Sequence, residues 1–424
     1  MLSTEVYLKI KKTLIIVGFN ILLIVLIIAA LEFGASLFAS KPRLAVVDHH
    51  QLNHTWKPSS SYVHDEWIKR NPDYPEPYTH YYNQQAWLET YDVKKEKAEN
   101  TYRIFYLGDS FTEGTCPMDQ SVPSQLELKL NELAEGIETR FEVINTGTSS
   151  YSPTLMYILL RHVLLDYSPD MVVIQVDMSD NFDDFKYAQT LIRDEAGNPW
   201  ACPLRGLYDP TFIDTEYGAV TPTLRLKLQL WLYTHSYTYN LLLKMREGKP
   251  AGPTSETLMT LSETPAEELL INRWAWCEWE WGEDTETLVL NTLDIIYRIG
   301  LLCEQYDIKL MITSVPHYRQ YAGNTDGTGP PMWSTRPHVE ISRVAQQLQV
   351  PYLHSFNLMA PSIIGSAQSD YYYDGNMHFN PRGYKLWSDI HIDFILNENT
   401  QLLPASFYEH LGKIRTDIEN QDEN

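Results

Sequence analysis

The sequence predicts an α/β protein in which helices cover both faces of a parallel sheet. From Tyr102 onward strand patterns alternate with helix patterns, and the apolar run "YRIFYL" (102–107) precedes the amphipathic stretch "VPSQLELKLNEL" (122–133). A third segment, "MVVIQV" (171–176), is apolar almost throughout, which is typical of a strand that is buried on both faces. Repeated strand and helix units of this kind favour a parallel sheet with crossover helices.

The same alternation continues almost to the end of the chain and is interrupted once. The further predicted strands are 141–145, 309–317 and 351–356, and the further predicted helices begin after Pro153 and cover 287–306, 339–348 and 381–397. Residues 185–283 are rich in Pro, Gly, Trp and charged side chains, and we interpret them as an insertion. The sequence therefore predicts one domain over 101–395 and an acidic tail over 396–424, whose end, "DIENQDEN", is expected to be solvated and disordered.

The composition excludes one class of partner. The chain has 424 residues, 44% of them hydrophobic, which is enough for a large core. It contains 33 Lys and Arg residues and 55 Asp and Glu residues, so its formal net charge is −22. Such a surface repels the phosphate backbone that a nucleic-acid-binding protein must neutralise, so we expect no nucleic-acid partner. Protein partners are left open.

The N-terminal segment predicts a membrane anchor. Lys9, Lys11 and Lys12 precede an apolar stretch that is long enough for one helix to cross a bilayer. We predict a cytoplasmic N-terminus over 1–12, an uncleaved signal anchor over 13–38 and a spacer that wraps the main domain over 39–100. The catalytic domain is then expected in the periplasm or outside the cell. Glu32, near the outer end of the segment, is expected to reach the membrane interface.

Neither the cysteines nor the acidic clusters have the spacing of a metal site. The four cysteines are compatible with disulfides in an exported protein, but their pairing stays open. Four aspartates follow the strand 171–176, without the glycine and the distal glutamate of a calcium loop, and are expected to be solvated or to cap a helix: Asp177, Asp180, Asp183 and Asp184. We expect neither a metal nor a cofactor.

One polar turn follows the first strand of the alternating region. In "FYLGDSFTEG" (105–114), Ser110 stands three residues beyond the apolar run, where the carboxyl edge of a doubly wound sheet holds its active site. A Gly-Asp-Ser turn that merely caps the next helix fits these ten residues equally well. A nucleophilic serine needs a histidine as base and a third group that orients the histidine. "YYYDGNMHFNPRGYKLW" (371–387) supplies Asp374 and His378 before the last predicted helix of the domain.

These two blocks resemble the first and last motifs of the SGNH (GDSL-type) hydrolases. The resemblance covers 102–183 and 287–395, and it implies a flavodoxin-like three-layer α/β/α fold that cleaves or transfers esters. It also implies Ser110 as nucleophile, His378 as base and Asp374 as the orienting carboxylate. Asp374 precedes His378 by four residues, whereas the family spacing is three, and Asp370 is a poorer alternative.

The resemblance also indicates where an oxyanion hole is expected. The family uses the backbone N–H of the nucleophile, here Ser110, a glycine N–H after the second strand and an asparagine side chain after the third. In this sequence Ser150 stands at the glycine position, with Gly147 as an alternative, and Ser179 stands at the asparagine position, with Asn181 as an alternative. Loss of one such donor typically slows a reaction about 10²–10³-fold, which weakens a simple esterase without abolishing catalysis.

The remaining candidates concern the substrate. The candidate substrate-binding residues are Asp109, His317, Trp276 and Trp279. The two tryptophans belong to the predicted insertion, and tryptophans in an insertion can instead pack it onto the main domain. The stretches "NTGTSSYSP" (145–153), "SDNFDDFKY" (179–187) and "RDEAGNP" (193–199) resemble a branch of the superfamily associated with surface-polysaccharide clusters, which implies an acylated glycan as substrate. We therefore expect a membrane-anchored serine esterase that acts through an acyl-serine. The alternatives are a polysaccharide O-acyltransferase with the same triad and a non-catalytic glycan-binding or assembly protein.

Overall fold

The structure is a computed structural model, and its described parts form two compact units. It describes residues 4–38, 46–64, 77–203, 208–214, 219–222, 228, 232, 236–247, 273–322, 331–398 and 401–422. The first unit comprises Met1–Leu44, Gly206–Phe212 and Thr221–Ser262, and the second comprises Ala45–Arg205, Ile213–Val220 and Glu263–Asn424. Much of the predicted insertion lies outside the described residues.

The first unit contains the apolar N-terminal helix. The helix covers Thr4–Ser36, and its stretch Lys11–Ser36 is long and apolar enough to cross a membrane. The length and composition of this helix are compatible both with a membrane anchor and with a signal sequence, so the predicted topology stays a prediction. Within the same unit the Glu32 carboxylate accepts hydrogen bonds from the Ser236 hydroxyl and, at 2.7 Å, from the backbone N–H of Tyr237. Glu32 therefore caps the start of a second helix.

The strands and helices follow in chain order. The strands are β1 (Val46–His49), β2 (Asn53–Trp56), β3 (Ser60–His64), β4 (Tyr78–Tyr82), β5 (Thr101–Leu107), β6 (Arg140–Asn145), β7 (Met171–Val176), β8 (Ile192–Arg193), β9 (Pro199–Ala201), β10 (Tyr208–Asp214), β11 (Ala219–Pro222), β12 (Lys309–Ser314) and β13 (Tyr352–Leu353). The helices after the first are Ser110–Glu113, Val122–Leu133, Pro153–His162, Asp180–Ala188, Tyr237–Glu247, Glu283–Gln305, Arg336–Leu348, Ser355–Ile363, Gln368–Tyr371, Pro381–Asp393 and Ala405–Asp422.

The second unit is built on a five-stranded sheet. Its order is β6-β5-β7-β12-β13, and every neighbouring pair is parallel. Numbered along the chain, this order is 2-1-3-4-5, which is the flavodoxin-like order of a doubly wound sheet. The predicted flavodoxin-like fold is confirmed by this topology. The carboxyl ends of the strands meet at one edge, and the order reverses between β5 and β7.

Side chains of successive strand residues supply two separate cores, one on each face. Phe105 and Leu107 of β5 belong to one core, which also includes residues of the helices Pro153–His162 and Glu283–Gln305. Ile104 and Tyr106 belong to the other core, with residues of Val122–Leu133 and Pro381–Asp393. The strands are therefore apolar at almost every position, because both of their faces are covered. This arrangement is the predicted three-layer architecture.

Two expectations differ from the structure near the ends of elements. The acidic tail forms the helix Ala405–Asp422, because Phe407 and Leu411 near its start are buried in the second core. The four aspartates after β7 are buried, so the expectation that they are solvated was wrong. The capping alternative holds for Asp184, which accepts hydrogen bonds from the Ser152 hydroxyl at 2.5 Å and from the Thr154 N–H at 3.0 Å, at the start of the helix Pro153–His162. The four cysteines are free and buried.

Candidate active site

The Gly-Asp-Ser turn connects β5 to a short helix that begins at Ser110. The Asp109 carboxylate caps this helix by accepting a hydrogen bond of 2.9 Å from the backbone N–H of Phe111. A Cβ atom at Gly108 would lie 2.0 Å from the Thr112 side-chain oxygen, so only glycine allows the helix to follow the strand so closely. The turn leaves Ser110 half-buried at the carboxyl edge of the sheet.

The histidine that the resemblance pairs with Ser110 lies in contact with it. Oγ of Ser110 is 2.7 Å from Nε2 of His378, although the two residues are 268 positions apart. On the other side of the ring, Nδ1 of His378 is 2.6 Å from Oδ1 of Asn376. Because a carbonyl oxygen accepts, Nδ1 carries the proton and Nε2 keeps a lone pair directed at the hydroxyl. This is the tautomer that a general base requires.

Asn376 occupies the position at Nδ1 that the sequence analysis assigned to Asp374. Asp374 is exposed, two residues before Asn376. The Asn376 side chain also accepts a hydrogen bond of 3.0 Å from the backbone N–H of His378, and an asparagine that binds the backbone two residues on is an Asx turn. The segment Asn-Met-His was therefore the signal that sequence reasoning missed: an asparagine two residues before the candidate base.

The loop that carries His378 is held at both ends. Asn380 caps the helix Pro381–Asp393 through a hydrogen bond of 3.1 Å from the N–H of Gly383. A Cβ atom at Gly383 would lie 2.1 Å from the carbonyl oxygen of Tyr371, so this position needs glycine. The Tyr373 hydroxyl donates to the Thr115 carbonyl at 2.7 Å, which ties the histidine loop to the segment after the serine helix. The position of the Ser110–His378 pair is thus determined by its surroundings.

The candidate oxyanion donors after β6 differ in their backbone conformation and in their contacts. Ser150 has a φ of 64°, in the left-handed region that favours glycine, and it stands where the resembled family has a glycine. Its carbonyl accepts a hydrogen bond of 2.8 Å from the Tyr187 hydroxyl. The N–H of Gly147, the alternative donor, is directed to Oδ1 of Asn145 at 3.0 Å. Of these two backbone donors, Ser150 keeps the conformation expected of the family position.

The candidate donors after β7 are both engaged elsewhere. The Ser179 hydroxyl donates to the Asp177 carboxylate at 3.0 Å, and its backbone N–H does so at 2.7 Å. The Asn181 side-chain amide donates to the Thr292 hydroxyl at 3.1 Å. Both residues are buried, so neither side chain is placed to bind a developing oxyanion without giving up an existing hydrogen bond.

Three buried carboxyl groups lie beside the serine turn. Oxygen atoms of Asp109, Asp177 and Asp180 all lie within 4.8 Å of one another. Burial, and then the neighbouring Asp177, raises the pKa of Asp109 well above its usual value, and the two side chains share a hydrogen bond. Burial likewise raises the pKa of Asp180, with Asp177 as the next cause. Asp109 is therefore a buried capping residue, although the sequence analysis expected it to bind substrate.

Three aromatic side chains lie together close to the loop that carries His378. The ring of His317 lies 4.9 Å from that of Trp274 and 4.3 Å from that of Trp333, measured between centroids. Burial, and then Arg319, lowers the pKa of His317 to about 3, so His317 is neutral. Arg273 covers the Trp274 ring at 5.1 Å and contacts the sulfur of Met377, the residue before His378, at 3.7 Å. We call Trp274, His317 and Trp333 the aromatic wall.

The other predicted aromatic contacts lie elsewhere. Trp276 is fully buried, and its indole N–H donates to the Met178 carbonyl at 2.7 Å, so it packs the protein interior. Trp279 is 58% exposed. The sequence analysis named His317 and considered the tryptophan-rich segment 272–284, which contains Trp274, but it did not name Trp333, which lies far from both in the chain.

The fold and the site together define the class of this protein. It is a flavodoxin-like α/β/α protein with a serine and a histidine in hydrogen-bond contact at the carboxyl edge of the sheet, which agrees with the resemblance to SGNH hydrolases. No protein-family model matches the chain, and no curated protein matches it.

Several solved structures are similar to the chain. One is a catalytic mutant of Axe2, an acetylxylan esterase from Geobacillus stearothermophilus, with 9% identity, a TM-score of 0.37 and coverage of 69% of this chain and 94% of that chain. Another is a GDSL-like lipase from Bacteroides thetaiotaomicron VPI-5482, with 12% identity, a TM-score of 0.30 and coverage of 69% and 87%. A two-domain esterase active on acetylated mannans has 11% identity, a TM-score of 0.33 and coverage of 71% and 51%.

Proposed function

We propose that this protein is a serine esterase of the SGNH type that removes ester-linked acyl groups from a glycan. The observation that carries the proposal is the Ser110–His378 contact of 2.7 Å, with Asn376 holding the opposite ring nitrogen of the histidine. A serine hydroxyl is a weak nucleophile until a base takes its proton, and this base has the required tautomer and orientation.

In the acylation step, Oγ of Ser110 forms a bond to the acyl carbon while its proton moves to Nε2 of His378. The carbonyl oxygen becomes an oxyanion, which the backbone N–H groups of Ser110 and Ser150 bind in this proposal. When the tetrahedral intermediate collapses, the ester C–O bond breaks and His378 gives its proton to the departing sugar oxygen. The acyl group is left as an ester of Ser110.

In the deacylation step, His378 takes a proton from water, and the resulting nucleophile attacks the acyl-serine. Collapse of the second intermediate returns the proton to Oγ of Ser110 and releases the carboxylic acid. Asn376 keeps the imidazole oriented in both steps. Because Asn376 is neutral, it stabilises the imidazolium less than a carboxylate would.

The aromatic wall supports a sugar as the alcohol part of the ester. Trp274 and Trp333 are half-buried and keep part of their rings accessible, and aromatic faces pack well against the apolar faces of sugar rings. Met377 and Arg273 connect this wall to the histidine loop by the contact of 3.7 Å. An acyl group on a sugar bound there would lie near the base.

The test is hydrolysis of p-nitrophenyl acetate and of an acetylated oligosaccharide by the full chain in detergent, compared with Ser110→Ala and His378→Ala. We expect either variant to lose at least about 10³-fold in kcat. Circular dichroism and thermal unfolding of all three proteins control for folding. Equal rates of ester hydrolysis in the parent and Ser110→Ala would overturn the proposal.

One observation favours a non-catalytic role instead. The Ser179 hydroxyl and the Asn181 amide are both engaged, so the site lacks a free side-chain donor at the position where the family has one. A folded parent that binds the glycan but cleaves no ester would support that role. The proposal also includes anchoring in the membrane and, as an alternative to hydrolysis, an O-acyltransferase activity.

Transfer would be detected when an added sugar accepts the acyl group of the acyl-serine in place of water.

A further inference from the structure

A second cluster of chemically reactive side chains lies between the β3–β4 hairpin and the helix of Ser110. His64 is the last residue of β3, His80 lies in β4, and Glu113 is the last residue of the helix Ser110–Glu113. One ligand atom from each of the three lies within 4.8 Å of the other two. The three residues are 7%, 0% and 3% exposed, so water does not solvate them freely. We call these residues the His-His-Glu cluster.

The two imidazoles leave polar atoms without partners in the described part of the chain. Neither Nδ1 nor Nε2 of His64 has a hydrogen-bond partner there, and Nδ1 of His80 also lacks one. The ring of Tyr78 stacks on that of His64 with 4.9 Å between the centroids, and the Tyr78 hydroxyl is unpartnered as well. Each buried polar group left unpaired costs about 1–3 kcal/mol, so such an accumulation requires an explanation.

The contacts of His80 determine which of its nitrogens is available. Its Nε2 lies 2.8 Å from the carbonyl oxygen of Cys116, so Nε2 carries a proton and donates it. Its Nδ1 faces Oε1 of Glu113 at 3.6 Å. Two atoms with lone pairs repel each other at that distance unless a positive charge lies between them. A metal ion supplies that charge, and so does a second proton on His80.

We propose that the His-His-Glu cluster binds a divalent transition-metal ion, with Zn²⁺ the best match. One ring nitrogen of His64, Nδ1 of His80 and a carboxylate oxygen of Glu113 would be the protein ligands. Two imidazoles and a carboxylate form a common zinc donor set, whereas Ca²⁺ and Mg²⁺ prefer oxygen ligands alone. Bonds of the usual length place tetrahedral ligand atoms about 3.4 Å apart, close to the observed separation of Nδ1 and Oε1.

The surroundings of the ligands resemble the outer shell of a metal site. Metal-binding histidines usually donate their other N–H to a carbonyl or carboxylate, as His80 does to Cys116. Ligating carboxylates are in turn hydrogen-bonded, and Glu113 accepts from the Tyr82 hydroxyl at 2.8 Å and from the Trp56 indole at 3.3 Å. These contacts orient both groups before any ion arrives.

The position of the cluster gives the ion a structural role. It joins the N-terminal hairpin to the end of the four-residue helix that begins with Ser110. The ion is distinct from the Ser110–His378 pair and takes no part in the ester chemistry. The inference therefore stands whether or not the proposed esterase activity is found, and it differs from the expectation of no metal, which was based on spacing alone.

The decisive variant is His64→Phe, because the two interpretations predict opposite signs. Phenylalanine retains the stacking on Tyr78 but removes both unpartnered nitrogens. Without a metal, this change removes two buried unsatisfied atoms and is neutral or stabilising. With a metal it removes a ligand, so the variant loses the ion and unfolds at a lower temperature. The matched control is His391→Phe, since His391 is also fully buried with one unpartnered ring nitrogen but lies outside the cluster.

The experiment uses the full chain purified in detergent, with elemental analysis, Co²⁺ absorption spectra and thermal unfolding. We expect about one zinc per parent chain. Chelation should lower the Tm of the parent by about 5 °C or more and leave His64→Phe unchanged. His391→Phe should keep the metal. A parent that carries no transition metal and binds neither Zn²⁺ nor Co²⁺ would overturn the proposal, and so would a His64→Phe variant more stable than the untreated parent.

Discussion

Oδ1 of Asn376 lies 2.6 Å from Nδ1 of His378, where the resembled hydrolases have a carboxylate. The hydrogen bond fixes the ring and its tautomer as a carboxylate would, but it adds no negative charge. During the proposed acylation His378 becomes positively charged, and a carboxylate stabilises that state while an amide does so weakly. Asn376 therefore orients His378 but contributes little electrostatic stabilisation to the charged imidazolium.

This separation predicts that Asn376→Asp accelerates ester hydrolysis. The substituted carboxylate accepts the same proton from Nδ1 and also stabilises the imidazolium, so we expect kcat for p-nitrophenyl acetate to rise about tenfold. Asn376→Ala removes the orienting acceptor and should lower kcat about 10²-fold. Steady-state kinetics of the full chain measure both effects.

Asp374→Asn is the matched control for the Asn376 variants. Asp374 belongs to the same loop and is exposed, so its replacement should leave kcat close to the parent value. The reverse ranking, with Asp374→Asn strongly impaired and Asn376→Ala active, would show that the carboxylate assigned from the family spacing orients the histidine.

The fold was predictable from the sequence because its signals are local. A strand such as β7 is apolar at nearly every position since both of its faces are covered, and that pattern needs no knowledge of its neighbours. The parallel sheet followed from the same patterns. The order of the strands came from the resemblance, since apolar runs do not state which strands are adjacent.

The parts that sequence reasoning missed depend on contacts between distant segments. The His-His-Glu cluster joins residues from a hairpin and a helix that are 33 or more positions apart, with no motif spacing. Asp177 and Asp180 looked solvated because their charge is visible in the sequence, while the burial that raises the pKa of both is not. Asn376 was the exception, since asparagine side chains commonly accept from the backbone two residues on, and here that residue is His378.

Ser150 provides a test of backbone strain at the expected oxyanion position. Its φ of 64° lies in the left-handed region, where a residue with a Cβ atom costs roughly 1–2 kcal/mol. Glycine avoids this cost but loses more conformational entropy on folding. We expect Ser150→Gly to raise the free energy of unfolding by about 0.5–1 kcal/mol in denaturant titrations.

Ser150→Val sharpens that test, because a β-branched residue is least tolerant of a positive φ. It should destabilise the protein relative to the parent. If Ser150→Gly were less stable than the parent, the stabilisation contributed by the serine side chain would exceed the free-energy cost of its positive φ.

The buried carboxyl cluster predicts a stability that depends on pH. Burial is the main cause that raises the pKa of Asp180 in the folded protein. Repulsion by the neighbouring carboxylates raises it further, and these belong to Asp177, Asp109, Asp183 and Asp184. The folded state therefore holds a proton that the unfolded state releases at lower pH. Stability is fully present below the ordinary pKa of an aspartate and is lost as the pH rises towards the raised value. Asp180→Asn removes this titration, so its Tm should exceed that of the parent at pH 8.

The comparison is made by thermal unfolding between pH 5 and 9, where the Tm of Asp180→Asn should fall less steeply than that of the parent. Asp389→Asn, on the exposed side of the helix Pro381–Asp393, is the control and should follow the parent. Parallel curves for the parent and Asp180→Asn would contradict a buried, proton-holding carboxyl at this position.

The aromatic wall predicts a substrate-dependent effect of Trp333→Ala. The ring of Trp333 lies 4.3 Å from His317 between centroids, and in the proposed function it supports the sugar. Removal of the ring should raise KM for an acetylated oligosaccharide about fivefold, because stacking of this kind contributes about 1 kcal/mol. Hydrolysis of p-nitrophenyl acetate, which has no sugar, should change little.

The matched variant Trp279→Ala removes a 58% exposed indole that the sequence analysis had assigned to substrate binding. If Trp279→Ala raises KM for the oligosaccharide and Trp333→Ala does not, the sugar lies beside Trp279 and not on the aromatic wall.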